Sequence, residues 1–299
     1  MASDRPDLDS LGRLAGVAVV GDGGVRIDDV HHDSRAVTPG SLFVAIPGFT
    51  ADGHDFVGRA EECGAAGLVL ERRVPTGLPY LLVPDARAIL GILAAAVHGY
   101  PATRLTIIGV TGTNGKTTVG HLLEAIGRAA GRHTGIVGTI GSRVGSSAVT
   151  TVRTTPEASD LQRLLAGMAD AGVDFVPTEV SSHALDLGRV NGMEFDVAAF
   201  TNLSQDHLDF HGTMEEYYAA KRKLFVPERA SRAVICIDGP WGRRLAAETD
   251  LPVIAVGFAE AADYRVSGYE SFPSGSRFTI RAGAEEISVV FPLPGRFNA

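Results

Sequence analysis

The sequence predicts an α/β protein of two domains, the second built on a mostly parallel sheet. Three observations carry that expectation. The chain has 299 residues, long enough for two cores, and 45% of them are apolar. A break at Gly99-Tyr100-Pro101 separates two patterned regions. From Arg104 onward, strand-like and helix-like segments alternate, as in sheets with helices on both faces.

In the first region, residues 1–101, Gly40–Ile46 reads as a strand ending in the Pro47-Gly48 turn. Asp55–Cys63 reads as a helix stopped by Gly64, Gly67–Leu70 and Tyr80–Val83 as strands, and Ala86–His98 as a helix capped by Asp85. A small α/β layer is the expected result. Its polar segment His32-Asp33-Ser34-Arg35 reads, on composition alone, as a turn with an Asp–Arg surface pair.

The second region, residues 102–299, opens on Leu105–Thr118, LTIIGVTGTNGKTT. The β-branched run to Thr111 is a buried strand, and Val119–Ala130 carries Val119, Leu122, Leu123 and Ile126 at helical spacing. Between them lie Gly112, Thr113, Asn114, Gly115, Lys116, Thr117 and Thr118. Glycines let backbone N–H groups turn inward, and the helix start adds its positive end, so this order suits a polyphosphate. Lys116 would reach the outer phosphates and the Thr117 hydroxyl a Mg²⁺ ion. Val110 stands where the strict G-x-x-x-x-G-K-[ST] pattern has glycine.

Further along, Ile136–Ile140 is strand-like and leads to a Gly/Ser-rich loop and Thr154-Thr155-Pro156-Glu157. Thr155 is expected to cap a helix whose buried face is Leu161, Leu164, Leu165 and Met168. The strand Val173–Thr178 ends in Glu179, placed where a Mg²⁺ ligand belongs in such sheets. The strand Phe195–Thr201 leads to Asp206, His207, Asp209 and His211. These could form a hydrolytic metal cluster, but too few His or Cys partners lie nearby. One His or Asp entering a Mg²⁺ site is the expectation. In the helix Met214–Phe225, Tyr217, Lys221 and Leu224 share an apolar face. An inward lysine either snorkels or has its pKa lowered by burial. Arg232–Asp238 and Pro252–Phe258 are strands, and Tyr264–Phe272, Arg277–Ala282 and Glu286–Phe291 read as appended antiparallel strands.

The formal charge of −8 speaks against nucleic acid or an acidic membrane as partner. Cys63 and Cys236, the only cysteines, form no disulfide framework or zinc knuckle, and the longest apolar stretch, Ala88–Val97, is too short for a membrane span. A cytoplasmic monomer is expected.

Taken in order, these motifs resemble the Mur ligases, and within them the tripeptide-synthetase (MurE-type) branch. Asp33-Ser34-Arg35 with PGSLFVAIPG and ADGHDF looks like the uridine-nucleotide-binding first domain. GVTGTNGKTT is similar to the family's form of the phosphate loop, and TTP, EVSSHAL, NLSQDHLDFHG and YYAAKRKLF complete the set. The resemblance implies ATP at Gly112–Thr118, with Thr117, Glu179 and His207 around Mg²⁺. It implies contacts from Ser34, Thr154, Thr155, Ser181 and Arg189 to a UDP-muramoyl-peptide, and a carbamylated Lys221 (N6-carboxylysine). Lys116, Glu179, His207 and Lys221 would be the catalytic group.

The implied reaction belongs to peptidoglycan precursor synthesis. It adds a diamino acid, meso-diaminopimelate or L-lysine, to UDP-N-acetylmuramoyl-L-alanyl-D-glutamate through an acyl phosphate. Family members carry a third, amino-acid-binding domain, so the expectation is an incomplete central domain in a chain inactive by itself. Two alternatives stand beside it: a nucleotide- or muramoyl-peptide-binding module without ligase activity, and a P-loop ATPase with another partner.

Overall fold

The computed structural model describes residues 5–145, 147–149 and 153–299. In chain order it contains α1 (Leu8–Ala15), β1 (Val19–Val20), β2 (Asp29–His31), β3 (Ser41–Val44), α2 (Val57–Glu62), β4 (Gly67–Leu70), β5 (Tyr80–Leu82) and α3 (Ala86–Val97). Next come β6 (Thr106–Thr111), α4 (Lys116–Ala129), β7 (Gly135–Ile136), β8 (Ser142–Val144), β9 (Ser147–Val149), α5 (Ala158–Asp170), β10 (Phe175–Glu179) and α6 (Ser182–Asp186). The chain continues through β11 (Val197–Phe200), α7 (Leu208–His211), α8 (Met214–Arg222), β12 (Ala233–Cys236), α9 (Pro240–Glu248) and β13 (Val253–Gly257). It closes with β14 (Tyr264–Phe272), β15 (Gly275–Ala282) and β16 (Glu285–Phe291). No described helix is long and apolar enough to cross a membrane.

Two compact units result. The first comprises residues 1–105, 156–172 and 187–193, the second 106–155, 173–186 and 194–299. In the first unit the sheet order is β1-β5-β4-β3-β2, parallel except for β1. Every residue of β3 and β4 is buried, as parallel strands covered on both faces must be. Alternation then divides β3 between two cores. Leu42 and Val44 join Leu8, Leu11, Leu90, Leu93 and Ala158, while Phe43 and Ala45 join Val57, Ala60, Leu68 and Leu70. Asp85 caps α3 by accepting from the Ala88 N–H at 2.8 Å, as its sequence position foretold. Helix α1, a strongly amphipathic segment capped by Asp7, was not anticipated. Helix α5 packs on α3, so it belongs with this unit although it lies beyond β6 in the chain.

The second unit holds an eight-stranded sheet in the order β10-β6-β11-β12-β13-β14-β15-β16. Strands β10 to β14 with β6 pair in parallel, and β15 and β16 are added antiparallel. The mixed α/β fold with its appended strands therefore stands as the sequence foretold. Strand β6 lies between β10 and β11, so the segments leaving all three carboxyl ends are neighbours. Two local expectations change and one helix is added. The strand-like run Ile136–Ile140 shrinks to β7 and a single bridge from Val137 to Thr178. Helix α9, with Gly239 as N-cap and Pro240 opening it, joins β12 to β13. Thr155 does not cap α5; Glu157 occupies that position and the helix starts at Ala158.

Candidate functional site

The loop after β6 is held open by its neighbour strand. Thr113 N–H donates to the Asn202 carbonyl at 2.9 Å, Asn114 N–H to Asn202 Oδ1 at 3.0 Å, and Thr201 Oγ1 donates to the Asn114 carbonyl at 2.6 Å. Two glycines are required by this geometry. Gly112 has φ 148°, and a Cβ there would stand 1.9 Å from Thr201 Oγ1. Gly115 has φ 87° and is the N-cap of α4. Helix α4 thus begins at Lys116 with its free N–H groups at the loop's mouth.

Lys116 Nζ donates to the Gly112 and Thr113 carbonyls, both at 2.9 Å. Burial lowers its pKa, against the pull of Glu179 and Asp206. Thr117 Oγ1 donates to Glu179 Oε2 at 3.0 Å. Glu179, at the end of β10 and pairing in register with Val110, is 1% exposed. Thr139 holds the same carboxylate twice, its N–H on Oε1 and its hydroxyl on Oε2, each at 3.0 Å. A Cβ on Gly138 would come within 2.3 Å of Glu179 Oε1, so this carboxylate sits in a cradle shaped for it. Gly138 and Thr139 escaped the sequence reading, because nothing local distinguishes them from the other residues of a strand-like run.

Lys221 on α8 is 1% exposed, so the inward placement holds and the snorkelling alternative does not. Its Nζ donates to the Gly112 carbonyl at 2.9 Å and lies 4.5 Å from the centroid of the Tyr217 ring. The chain has three lysines, Lys116, Lys221 and Lys223, and two of them converge on that one carbonyl. Burial first, and then the Lys116 charge, bring the Lys221 pKa down to about 7 while Asp206 pulls it up.

Thr154 Oγ1 is 3.0 Å from Thr139 Oγ1. The Thr155 hydroxyl, fully buried, donates to the Glu179 carbonyl at 2.8 Å and accepts from Ser181 N–H at 3.2 Å. Ser181 Oγ accepts from Ala184 N–H at 3.1 Å and caps α6. Thr155 therefore shapes the turn that carries Glu179 and Ser181, in place of the helix-capping role expected for it. His207 precedes α7 with φ 51° and lies edge-on to His183 at 5.0 Å. Among the described residues no group of three or more His, Cys, Asp or Glu side chains could hold a metal, which leaves no hydrolytic cluster at Asp206–His211.

The first unit holds Ser34 and Arg189. Ser34 is buried beside Asp33, whose carboxylate binds Arg35 at 2.6 Å and has its pKa lowered to about 2 by that partner. The Asp–Arg surface pair of the sequence reading is thus present. Arg189 Nε lies 3.0 Å from Glu157 Oε1.

Residues 110–299 match the Mur ligase middle domain, and residues 26–98 match the Mur ligase family catalytic domain. The chain belongs to the Mur ligase family. It is 45% identical over 295 residues to the UDP-N-acetylmuramoyl-L-alanyl-D-glutamate–2,6-diaminopimelate ligase of Geobacillus thermodenitrificans, covering 96% of this chain and 60% of that one. The ligase of the same name from Streptomyces coelicolor is also 45% identical, with 97% and 59% covered. A solved structure of a protein with that name superposes with a TM-score of 0.86 at 27% identity, over 98% of this chain and 61% of the other. The chain thus spans about 60% of the length of these Mur ligase relatives.

Proposed function

We propose that this chain carries the ATP- and muramoyl-peptide-binding parts of an ATP-dependent amide-bond ligase, acting on UDP-N-acetylmuramoyl-L-alanyl-D-glutamate. The observation that carries the reading is the Thr117–Glu179 contact at the mouth of a glycine-shaped loop. A hydroxyl and a carboxylate, both hard oxygen donors, meet beside free helix N–H groups, the arrangement that suits Mg²⁺ with a nucleotide polyphosphate. The donor set fits that ion. Thr117 and Glu179, with His207, would hold it, and it would supply positive charge to the phosphates when bound.

In this reading residues Gly112–Thr118 wrap the phosphates of ATP. Lys116 turns from the loop carbonyls to the γ-phosphate and balances charge on the transferring group. The D-glutamyl carboxylate takes that phosphoryl group, forming an acyl phosphate and releasing ADP. The amine of a diamino acid then displaces phosphate and forms the amide; by the relatives' names that amine is 2,6-diaminopimelate. Thr154, Ser181 and Arg189 contact the muramoyl-peptide, Thr155 sets the position of Ser181, and Ser34 serves the uridine diphosphate end. Lys221, which burial leaves partly as the free amine near pH 7, adds CO₂ to give a carbamate and a proton, which places a buried anion on α8.

A melting curve tests the substrate assignment. A ligand bound only to the native state stabilises it by about 2.7 kcal/mol at a hundredfold excess over its dissociation constant. The UDP-muramoyl dipeptide is expected to raise the melting temperature, and Arg189→Ala to reduce that rise. An unchanged melting temperature at millimolar dipeptide contradicts the assignment.

A further inference from the structure

His211, which the sequence groups with Asp206, His207 and Asp209 as a metal candidate, is 5% exposed. Its Nδ1 lies 3.2 Å from Asp186 Oδ2 and its Nε2 2.9 Å from Ser182 Oγ. A carboxylate only accepts, so Nδ1 carries the ring proton and the Ser182 hydroxyl donates to Nε2. The order Ser–His–Asp matches a hydrolase triad, but Ser182 is 1% exposed and cannot be approached by a substrate. Its hydroxyl has a structural task.

That task follows from what the two ends of the tie carry. Ser182 opens α6, three residues after Glu179 and directly after Ser181. His211 closes α7, a four-residue helix that begins after His207. So short a helix has little stability of its own and depends on contacts such as this one. The His211 ring also lies 5.0 Å from the Tyr217 ring at 31°. Tyr217 in turn supports Lys221 and places its hydroxyl 3.3 Å from Thr113 Oγ1.

We infer that His211 is a positioning residue, clamped between Asp186 and Ser182, which fixes the segment bearing His207 against the turn bearing Glu179. The inference rests on the Mg-nucleotide reading above and adds to it a residue that touches neither ion nor nucleotide. Loss of such a support for metal-binding side chains costs about 10- to 100-fold in metal affinity.

The test is a titration with a fluorescent ATP analogue, with and without Mg²⁺, on wild type, His211→Ala, His211→Gln and Ser182→Ala. Ser182→Ala removes a single oxygen and keeps the question answerable should His211→Ala fail to fold. Both alanine variants are expected to lose about tenfold of the affinity that Mg²⁺ adds, with magnesium-free affinity close to wild type. His211→Gln, whose amide oxygen can accept from Ser182, is expected to recover part of the loss. A merely structural role would lower both affinities together or only the melting temperature, and either result overturns the inference. So does an unchanged Mg²⁺ gain in both alanine variants. If wild type itself gains nothing from Mg²⁺, the metal reading falls and takes this inference with it.

Discussion

Lys221 offers the sharpest quantitative expectation. With its pKa near 7 instead of 10.5, about nine in ten molecules carry the neutral amine at pH 8, against about three in a thousand for an ordinary lysine. The amine available to CO₂ is therefore increased about 300-fold. Protein equilibrated with ¹³C-bicarbonate should show a carbamate carbon resonance that Lys221→Ala lacks. With only three lysines, the spectrum is simple to assign. Lys116→Met removes the neighbouring cation that helps lower the Lys221 pKa, so carbamate at pH 7 should decrease in that variant. The same shift has a stability consequence. Between about pH 7 and 10.5 the unfolded chain binds one more proton at this lysine than the native chain, so its contribution to stability rises with pH across that window and falls as pH drops through 7. Lys221→Met should flatten that part of the profile. A carbamate signal equal in wild type and Lys221→Ala would refute the reasoning.

Two further substitutions probe the loop and its support. Gly112→Ala should abolish nucleotide binding, because its φ of 148° and the 1.9 Å approach of Thr201 Oγ1 leave no room for a Cβ; unchanged affinity for a fluorescent ATP analogue would contradict the loop geometry. Thr155→Val should cost about 1–3 kcal/mol by leaving the Glu179 carbonyl and Ser181 N–H without the buried hydroxyl; denaturant unfolding within error of wild type would show that those bonds are replaced.

What the sequence disclosed was local, and what it hid was long-range. The strand, loop and helix around Lys116 were legible because Ile/Val/Thr content, glycine placement and helical spacing all agree within one stretch. The inward Lys221 was legible because it follows Tyr217 by one helical turn; both are buried, as is Leu224 in the turn just past the end of α8. Thr155 misled because a Thr before Pro fits a helix cap, whereas its partners Glu179 and Ser181 are 24 and 26 residues away. Thr139 gave no signal and His211 only a misleading one as a metal candidate, for the same reason: Thr139 meets Glu179 only when Val137 bridges Thr178 of β10, and His211 meets its partners only when α6 and α7 both pack on α8. Helix α5 showed its buried face plainly, but amphipathicity names a face and not the core it will join.

The central claim is that Gly112–Thr118 is a Mg-nucleotide site, and direct titration tests it. Wild type and Lys116→Ala are titrated with a fluorescent ATP analogue in the presence of Mg²⁺, with melting curves confirming that both are folded. Lys116 contributes charge to the loop and little packing, so the expected result is saturable binding in wild type and its loss in Lys116→Ala at unchanged stability. Equal affinities in the two folded proteins would contradict the account.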